Sequence, residues 1–167
     1  MKRVFSLALL CICVFSVKGQ TNLDLRANLT YNDIANDIWG YVDSMGNEYA
    51  IIGLRNSTEI VDVTDPDNPV NLHSIPGPSS TWRDIKTWEH YAYVTNETGN
   101  GLLIIDLAGL PSSIATKETN FGAEMATAHN IFIDEKGFAY CFGFNDSVRS
   151  IPTDSRGAYI LDLRNDP

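Results

Sequence analysis

Three copies of one short pattern constrain the fold of this chain more than any other feature. Runs of branched apolar residues, each with one aspartate at the same place, occupy 58–63, 102–107 and 158–163, and their aspartates are Asp62, Asp106 and Asp162. A short apolar run of this kind predicts a buried strand, in which a lone carboxylate needs a fixed hydrogen-bond partner. We therefore predict a repeat protein whose aspartates accept bonds from loop N–H groups. A catalytic array is the weaker interpretation, because successive repeats cannot all meet one substrate.

Two more patterns recur before each aspartate and define the repeat length. A polar-polar-Ile triplet occurs at 36–38, 83–85 and 129–131, and an aromatic-Ala pair begins at Tyr49, Tyr91 and Phe138. The triplets lie 47 and 46 residues apart, a period typical of a four-stranded propeller blade. Helical periodicity is not evident, and Gly or Pro interrupts almost every candidate helix. The sequence therefore predicts an all-β fold, a β-propeller of four-stranded antiparallel blades at about 36–78, 83–122 and 129–167.

The third copy ends where its fourth strand should begin. The fourth strands of the earlier copies are predicted at 70–75 and 114–119, whereas residues 164–167 repeat only the turn before such a strand. About two and three-quarter blades are thus present, while closed propellers need at least four. We expect the remaining blades elsewhere in a longer chain, of which this sequence is an N-terminal fragment.

The N-terminus has the composition of a secretory leader. Basic Lys2 and Arg3 precede the apolar run 4–17, and residues 1–19 are predicted to be a signal peptide cleaved near Gly19. The run is too short to span a membrane. Residues 20–30 are polar and lack alternation, so we assign them as a linker or edge segment. The protein is therefore expected to be secreted, extracellular or held at the cell surface.

Charge and cysteine content exclude several classes of function. Loss of the leader removes three basic residues and no acid, so the net charge falls from −9 to −12. Such a surface repels nucleic acid, and we predict no nucleic-acid partner. Cys141 is the one cysteine outside the leader, and its apolar setting predicts a buried, inert thiol. Asp65 and Asp67 flank Pro66, Pro69 follows them, and the glycine of a calcium loop is missing, which favours a turn.

Strand order predicts which polar residues share one face. If the first strand of each blade is innermost, the triplet residues Asp37, Arg83, Asp84, His129 and Asn130 lie at the mouth of the central channel. The second-to-third connection faces the same way and is longest in the third copy, at Gly143–Gly157, where loop residues suited to binding would lie.

Two interpretations of these mouth residues stay open. They could bond across blades, Arg83 to an aspartate and Asn130 to a backbone group, because buried polar atoms need partners. Alternatively they form a ligand site, in which His129, Asp84 and Asp37 hold an anionic or sugar ligand, or His129 and Asp84 a divalent metal. The three tryptophans are interpreted as wedges between blades rather than platforms for sugars. His73 and His90 are expected to face solvent.

The motifs resemble known families. The third-strand pattern is similar to the LVIVD repeat, and the segments 31–40, 78–86 and 128–131, which include Trp82-Arg83-Asp84-Ile85-Lys86, resemble the choice-of-anchor B family. This resemblance implies a secreted or surface-anchored β-propeller, usually bacterial, with an anchor or sorting signal at its far C-terminus. It implies a fold and a location and leaves the function open.

Two functions from different classes fit these observations. The first is a non-catalytic binding, adhesion or interaction module for an extracellular protein or glycan, favoured because no nucleophile-base pair, phosphate loop or spaced metal motif is present. The alternative is a secreted hydrolase or lyase with a metal-assisted site at the channel mouth.

Overall fold

The structure is a computed structural model that describes residues 22–121, 125–143 and 157–165. The predicted leader and most of the long connection between Gly143 and Gly157 lie outside these ranges, so the predictions made for them stay predictions. The described residues form strands and turns without any helix. No helix in these ranges has the length and apolar character needed to cross a membrane.

Eleven strands are present in the described ranges, and they follow the repeat. The first copy contains β1 (Ala35–Val42), β2 (Glu48–Leu54), β3 (Ser57–Asp62) and β4 (Val70–Pro76). The second contains β5 (Ile85–Trp88), β6 (Tyr91–Val94), β7 (Leu102–Asp106) and β8 (Ala115–Thr119). The third contains β9 (Asn130–Ile133), β10 (Phe138–Phe142) and β11 (Tyr159–Asp162).

Each copy folds into one antiparallel sheet with its strands in chain order. The three sheets have four, four and three strands, and every pairing is between consecutive strands. The register repeats as well, since the leading aromatic of the second strand lies opposite the aspartate of the third, as in Tyr49 with Asp62 and Tyr91 with Asp106. The all-β prediction of propeller blades, incomplete within this chain, is confirmed.

The blades pack through their first strands. β5 contacts β1 on one side and β9 on the other, so the first strands are the ones that meet between blades, which is the arrangement that the face assignment assumed. One core lies between the first and second blades around Ile51 and Ile105, and another lies between the second and third around Ile104 and Cys141. Ile104 and Ile105 thus enter opposite cores. A blade buried on both faces explains why the third-strand motif is continuously apolar rather than alternating.

The outer faces of the first and third blades lack such a neighbour. Ile38 corresponds in register to Ile85, yet Ile38 is 62% exposed and Ile85 is fully buried. Ile160 corresponds to Ile104, and their exposures are 63% and 6%. The described blades therefore do not close a ring, and both terminal faces remain apolar and open.

The repeated aspartate ends its strand instead of lying within it. Asp62, Asp106 and Asp162 accept the backbone N–H two residues later, at 2.9, 2.9 and 3.1 Å. The predicted N–H partner is confirmed. The predicted burial is wrong, because the side chains of Asp106 and Asp162 are each 38% exposed. The carboxylate closes a turn at the sheet edge, where water reaches it.

Two other expectations concern Cys141 and the turn after β3. Cys141 is fully buried and free, and burial raises the pKa of its thiol to about 12, in agreement with an inert role. Asp65 accepts the N–H of Asp67 at 3.0 Å, and Asp67 binds Arg26 at 2.7 and 2.5 Å. These carboxylates shape a turn and tether the segment before the first blade, as the turn interpretation requires.

Candidate functional site

The starts of the three inner strands enclose one polar groove of about 230 Å³. Its lining contains all five residues predicted at the channel mouth together with Asn36 and Trp82; the five are Asp37, Arg83, Asp84, His129 and Asn130. We call this space the mouth groove. Other clefts lie between β8 and β11 and on the outer face of the first blade. They are lined mainly by apolar side chains, so the convergent polar chemistry lies in the mouth groove.

An aspartate in each of the first two triplets joins its blade to the next. Asp37 Oδ2 accepts the backbone N–H of Ile85 at 2.9 Å, and Asp84 Oδ2 accepts that of Ile131 at 2.8 Å. In both cases the donor is the isoleucine of the following triplet, and it is buried. We call these two bonds the blade clasp. The clasp explains why a carboxylate recurs here, because it satisfies an N–H at each boundary between blades.

The second oxygen of Asp84 is also occupied. Asp84 Oδ1 forms an ion pair with the ammonium of Lys86, which lies 4.4 Å above the ring centre of Trp39. The side chains of Asp84 and Lys86 are 17% and 20% exposed. Both oxygens of Asp84 therefore have protein partners, which limits what this carboxylate can offer a ligand.

Arg83 serves the interior rather than the groove. Only 3% exposed, it donates to the carbonyl oxygens of Leu54, Arg55 and Pro78 at 2.6, 3.1 and 2.5 Å. Burial lowers the pKa of its guanidinium, and the charges of nearby carboxylates oppose this. The expectation that Arg83 pairs with an aspartate is wrong. Arg83 instead donates to backbone carbonyls at the end of β2, in the turn that follows β2, and in the connection between the first and second blades.

His129 belongs to a pair that the sequence analysis missed. Its Nδ1 lies 2.5 Å from Glu97 Oε1, on the connection between β6 and β7, and both side chains are partly exposed. Gly143 allows the approach of this ring, because it has φ of +73° and a Cβ there would lie 2.5 Å from His129 Cβ. Glu97 could have been found, since second-to-third connections were predicted to face the mouth.

Trp82 is the most exposed aromatic residue of the groove. Its side chain is 51% exposed, and its ring meets that of His129 edge-on at a centroid distance of 5.8 Å. The segment that carries it is anchored, because buried Ser80 donates through Oγ to the Trp82 carbonyl at 2.8 Å. The wedge interpretation therefore fails for Trp82. It fits Trp88, which packs against the core between the second and third blades.

Asn130 occupies the third-blade equivalent of the clasp aspartates. It is exposed, and its Nδ2 lies 3.5 Å from Asp84 Oδ2, at the limit of a hydrogen bond. The expected bond from its side chain to a backbone group is not found in the described part of the chain. The amide of Asn130 thus retains hydrogen-bonding capacity, whereas Asn36 Nδ2 and Oδ1 find no partner in the described residues but are fully buried.

The geometry does not favour the metal interpretation of His129 and Asp84. The two oxygens of Asp84 bind Ile131 and Lys86, and His129 Nδ1 binds Glu97. Across residues 22–121, 125–143 and 157–165, no three His, Cys, Asp or Glu side chains converge as metal ligands would. The side chains of the groove are suited to hydrogen bonding and to stacking.

The remaining histidines lie away from the groove. His73 Nε2 is 3.0 Å from the carbonyl oxygen of Pro111, so His73 makes a contact between blades rather than facing only solvent. His90 stacks on Tyr91 with ring centres 4.1 Å apart and is 3.8 Å from Asp106. Neither residue adds to the site.

Comparison with known proteins identifies the repeat in the second blade. The family model of the LVIVD repeat matches residues 81–119, which begin just before Trp82 and end with β8. No curated protein and no solved structure matches the chain. The matched range contains Trp82, Arg83 and Asp84, which are three of the seven residues that line the mouth groove.

Proposed function

We propose that this chain forms blades of a secreted or cell-surface β-propeller of choice-of-anchor B type that acts as a binding or adhesion module. Its ligand would be an extracellular protein or glycan held at the mouth groove. One observation carries the proposal: all five polar residues predicted at the channel mouth, from three blades, line a single groove with an exposed tryptophan. The leader-like residues 1–19 support an extracellular location, and the negative net charge disfavours a nucleic-acid ligand.

The proposal can be tested by replacing polar side chains with alanine on one face of the blades at a time and measuring ligand binding. The complete protein is immobilised and screened by interferometry against extracellular proteins and glycans. A double replacement, His129→Ala with Asn130→Ala, should weaken binding at least about tenfold, because both side chains are exposed in the groove and can meet a ligand directly. Thermal melting of each variant reports whether the fold is kept.

The matched control lies on the opposite face. A double replacement of Asp65 and Asp67 by alanine removes two polar side chains from the turn after β3, which is distant from the groove in the blade topology. It should leave binding unchanged. If binding follows the Asp65 and Asp67 change and ignores His129 and Asn130, the functional face is the opposite one and the proposal is wrong.

A secreted hydrolase or lyase is the second candidate, and one observation favours it. Glu97 holds His129 through Nδ1 at 2.5 Å, and a carboxylate that orients histidine is an arrangement used by general bases. Chromogenic esters and glycosides are suitable probes. Turnover that disappears in both His129→Ala and Glu97→Gln would favour this candidate over simple binding.

A further inference from the structure

The mouth groove combines the exposed aromatic ring of Trp82 with the exposed amide of Asn130, and this combination points to a class of ligand. The inference drawn from it rests on the proposed binding function and specifies its ligand. We infer that the groove binds a neutral sugar residue, which stacks on Trp82 and is hydrogen-bonded by Asn130 and His129.

Trp82 provides the stacking surface. Half of its side chain is exposed, and His129 meets it edge-on, which leaves the indole available to another flat group. The C–H groups on one face of a sugar ring carry small positive charge and suit the negative face of an indole. The bond from buried Ser80 to the Trp82 carbonyl fixes the backbone at this position, so little backbone freedom is lost when a ligand stacks there.

The polar groups of the groove suit hydroxyl groups. The exposed amide of Asn130 makes only a long contact to Asp84, at 3.5 Å, whereas the amide atoms of Asn36 are fully buried and lie beyond the reach of a ligand. An amide both donates and accepts, as a sugar hydroxyl does. Glu97 engages His129 Nδ1, which leaves Nε2 as the ring nitrogen available to a ligand.

Charge disfavours an anionic ligand. Asp37, Asp84 and Glu97 all lie at the groove, whereas Arg83 is committed to backbone carbonyls and Lys86 to Asp84. A phosphate or an acidic sugar would face these carboxylates without a free cation. A cationic ligand would compete with Lys86 for the same carboxylate. A neutral ligand avoids both costs.

The size of the groove suits one sugar ring. Its volume of about 230 Å³ is below the range of about 300–1,000 Å³ that is usual for drug-sized ligands. One end residue or one exposed branch of a larger glycan could enter, while the remainder of the chain stayed in solvent. The partner is therefore a glycan recognised through a single residue.

The test uses the complete protein on an array of neutral, acidic and basic glycans, followed by titration with the best neutral sugar. Trp82→Ala should weaken binding about tenfold or more, and Trp82→Phe should restore part of it, because the smaller ring still stacks. Phe132→Ala is the matched control: Phe132 is 57% exposed, lies on β9 and is not part of the groove lining. It should leave the affinity unchanged.

A second readout does not require the alanine variant to fold. Tryptophan emission of the wild type should shift when the sugar binds, and the shift should be absent from Trp82→Phe at an unchanged melting temperature. If the array shows no neutral glycan, or if Trp82→Ala binds as well as the wild type, the sugar inference is overturned.

The outcomes also separate this inference from the proposed function. A protein or charged ligand that is lost in the His129 and Asn130 double variant would keep the binding function and refute the sugar. Neutral glycan binding that depends on Asp65 and Asp67 instead would refute both.

Discussion

Removing the carboxylate of Asp84 tests the blade clasp directly. In Asp84→Ala the N–H of Ile131 loses its acceptor inside an interface where Ile131 is only 2% exposed. An orphaned buried N–H costs about 1–3 kcal/mol. The freed ammonium of Lys86 adds about 0–1 kcal/mol, since that ion pair is mostly but not fully buried. We expect a total loss of about 1–4 kcal/mol in the free energy of unfolding.

Two matched variants separate the clasp from the ion pair. Asp84→Asn keeps an oxygen acceptor for Ile131 and loses only the charge, so its cost should be about 0.5–1 kcal/mol. Lys86→Met removes the ion pair and keeps the clasp, with a cost of about 0–1 kcal/mol. Asn130 shows that the repeat itself carries an amide at this position.

Urea unfolding of the complete protein measures these differences, provided that the dependence of the unfolding free energy on urea concentration is the same in each variant. Amide hydrogen exchange then shows where in the structure the stability is lost. The Ile131 amide should lose protection in Asp84→Ala and keep it in Asp84→Asn. Equal stability of the two variants, or an Ile131 amide that stays protected in Asp84→Ala, would refute the clasp.

Three further predictions follow from local geometry. Asp106→Ala should lower the free energy of unfolding, measured in urea, by about 0.5–1 kcal/mol. This is less than the loss of a buried acceptor would cause, because Asp106 is 38% exposed where it accepts the N–H of Ala108. A loss above about 2 kcal/mol would contradict this expectation. Arg83→Lys should cost about 2–3 kcal/mol by the same assay, since lysine cannot reach the three carbonyls together; near-neutral stability would contradict it. Cys141 should resist a thiol reagent at pH 8 until urea unfolds the protein. Its folded pKa of about 12 exceeds the ordinary 9.0, so its contribution to stability is complete below pH 9 and is lost as the pH rises toward 12.

Much of the candidate site was predictable because it follows from strand order. Once the triplets are placed at the starts of inner strands, an up-and-down blade brings them to one face. The exposure of Trp82 was not predictable, since an aromatic residue before a strand has the same sequence pattern whether it wedges between blades or faces a groove. The partner of His129 was also hidden, because Glu97 comes from another blade 32 residues earlier.

The same contrast holds for the charged residues. Arg83 and Asp84 are adjacent in sequence, yet they bind groups on opposite sides of their strand. Arg83 donates to three backbone carbonyls of the preceding blade and the connection after it, and Asp84 accepts a backbone N–H of the next blade. Residue type predicted that both need partners, and a salt bridge was the simplest expectation. The backbone is the partner of Arg83 instead, and it is a partner of Asp84 in addition to Lys86, because sheet edges between blades leave carbonyl and N–H groups that neutral side chains could not satisfy as well.

The sequence by itself determined the blade. Repeat spacing, the aromatic-Ala pair and the apolar run ending in aspartate specify four strands, their order and their register, since these depend on contacts within about 50 residues of chain. Only the tertiary structure decided which of the equivalent positions in the blades are buried and which are exposed. Ile85 and Ile38 occupy the same place in their blades, and the presence of a neighbouring blade alone makes one fully buried and leaves the other 62% exposed. Burial depends on what lies beside a strand, and that information is not local to the residues that form it.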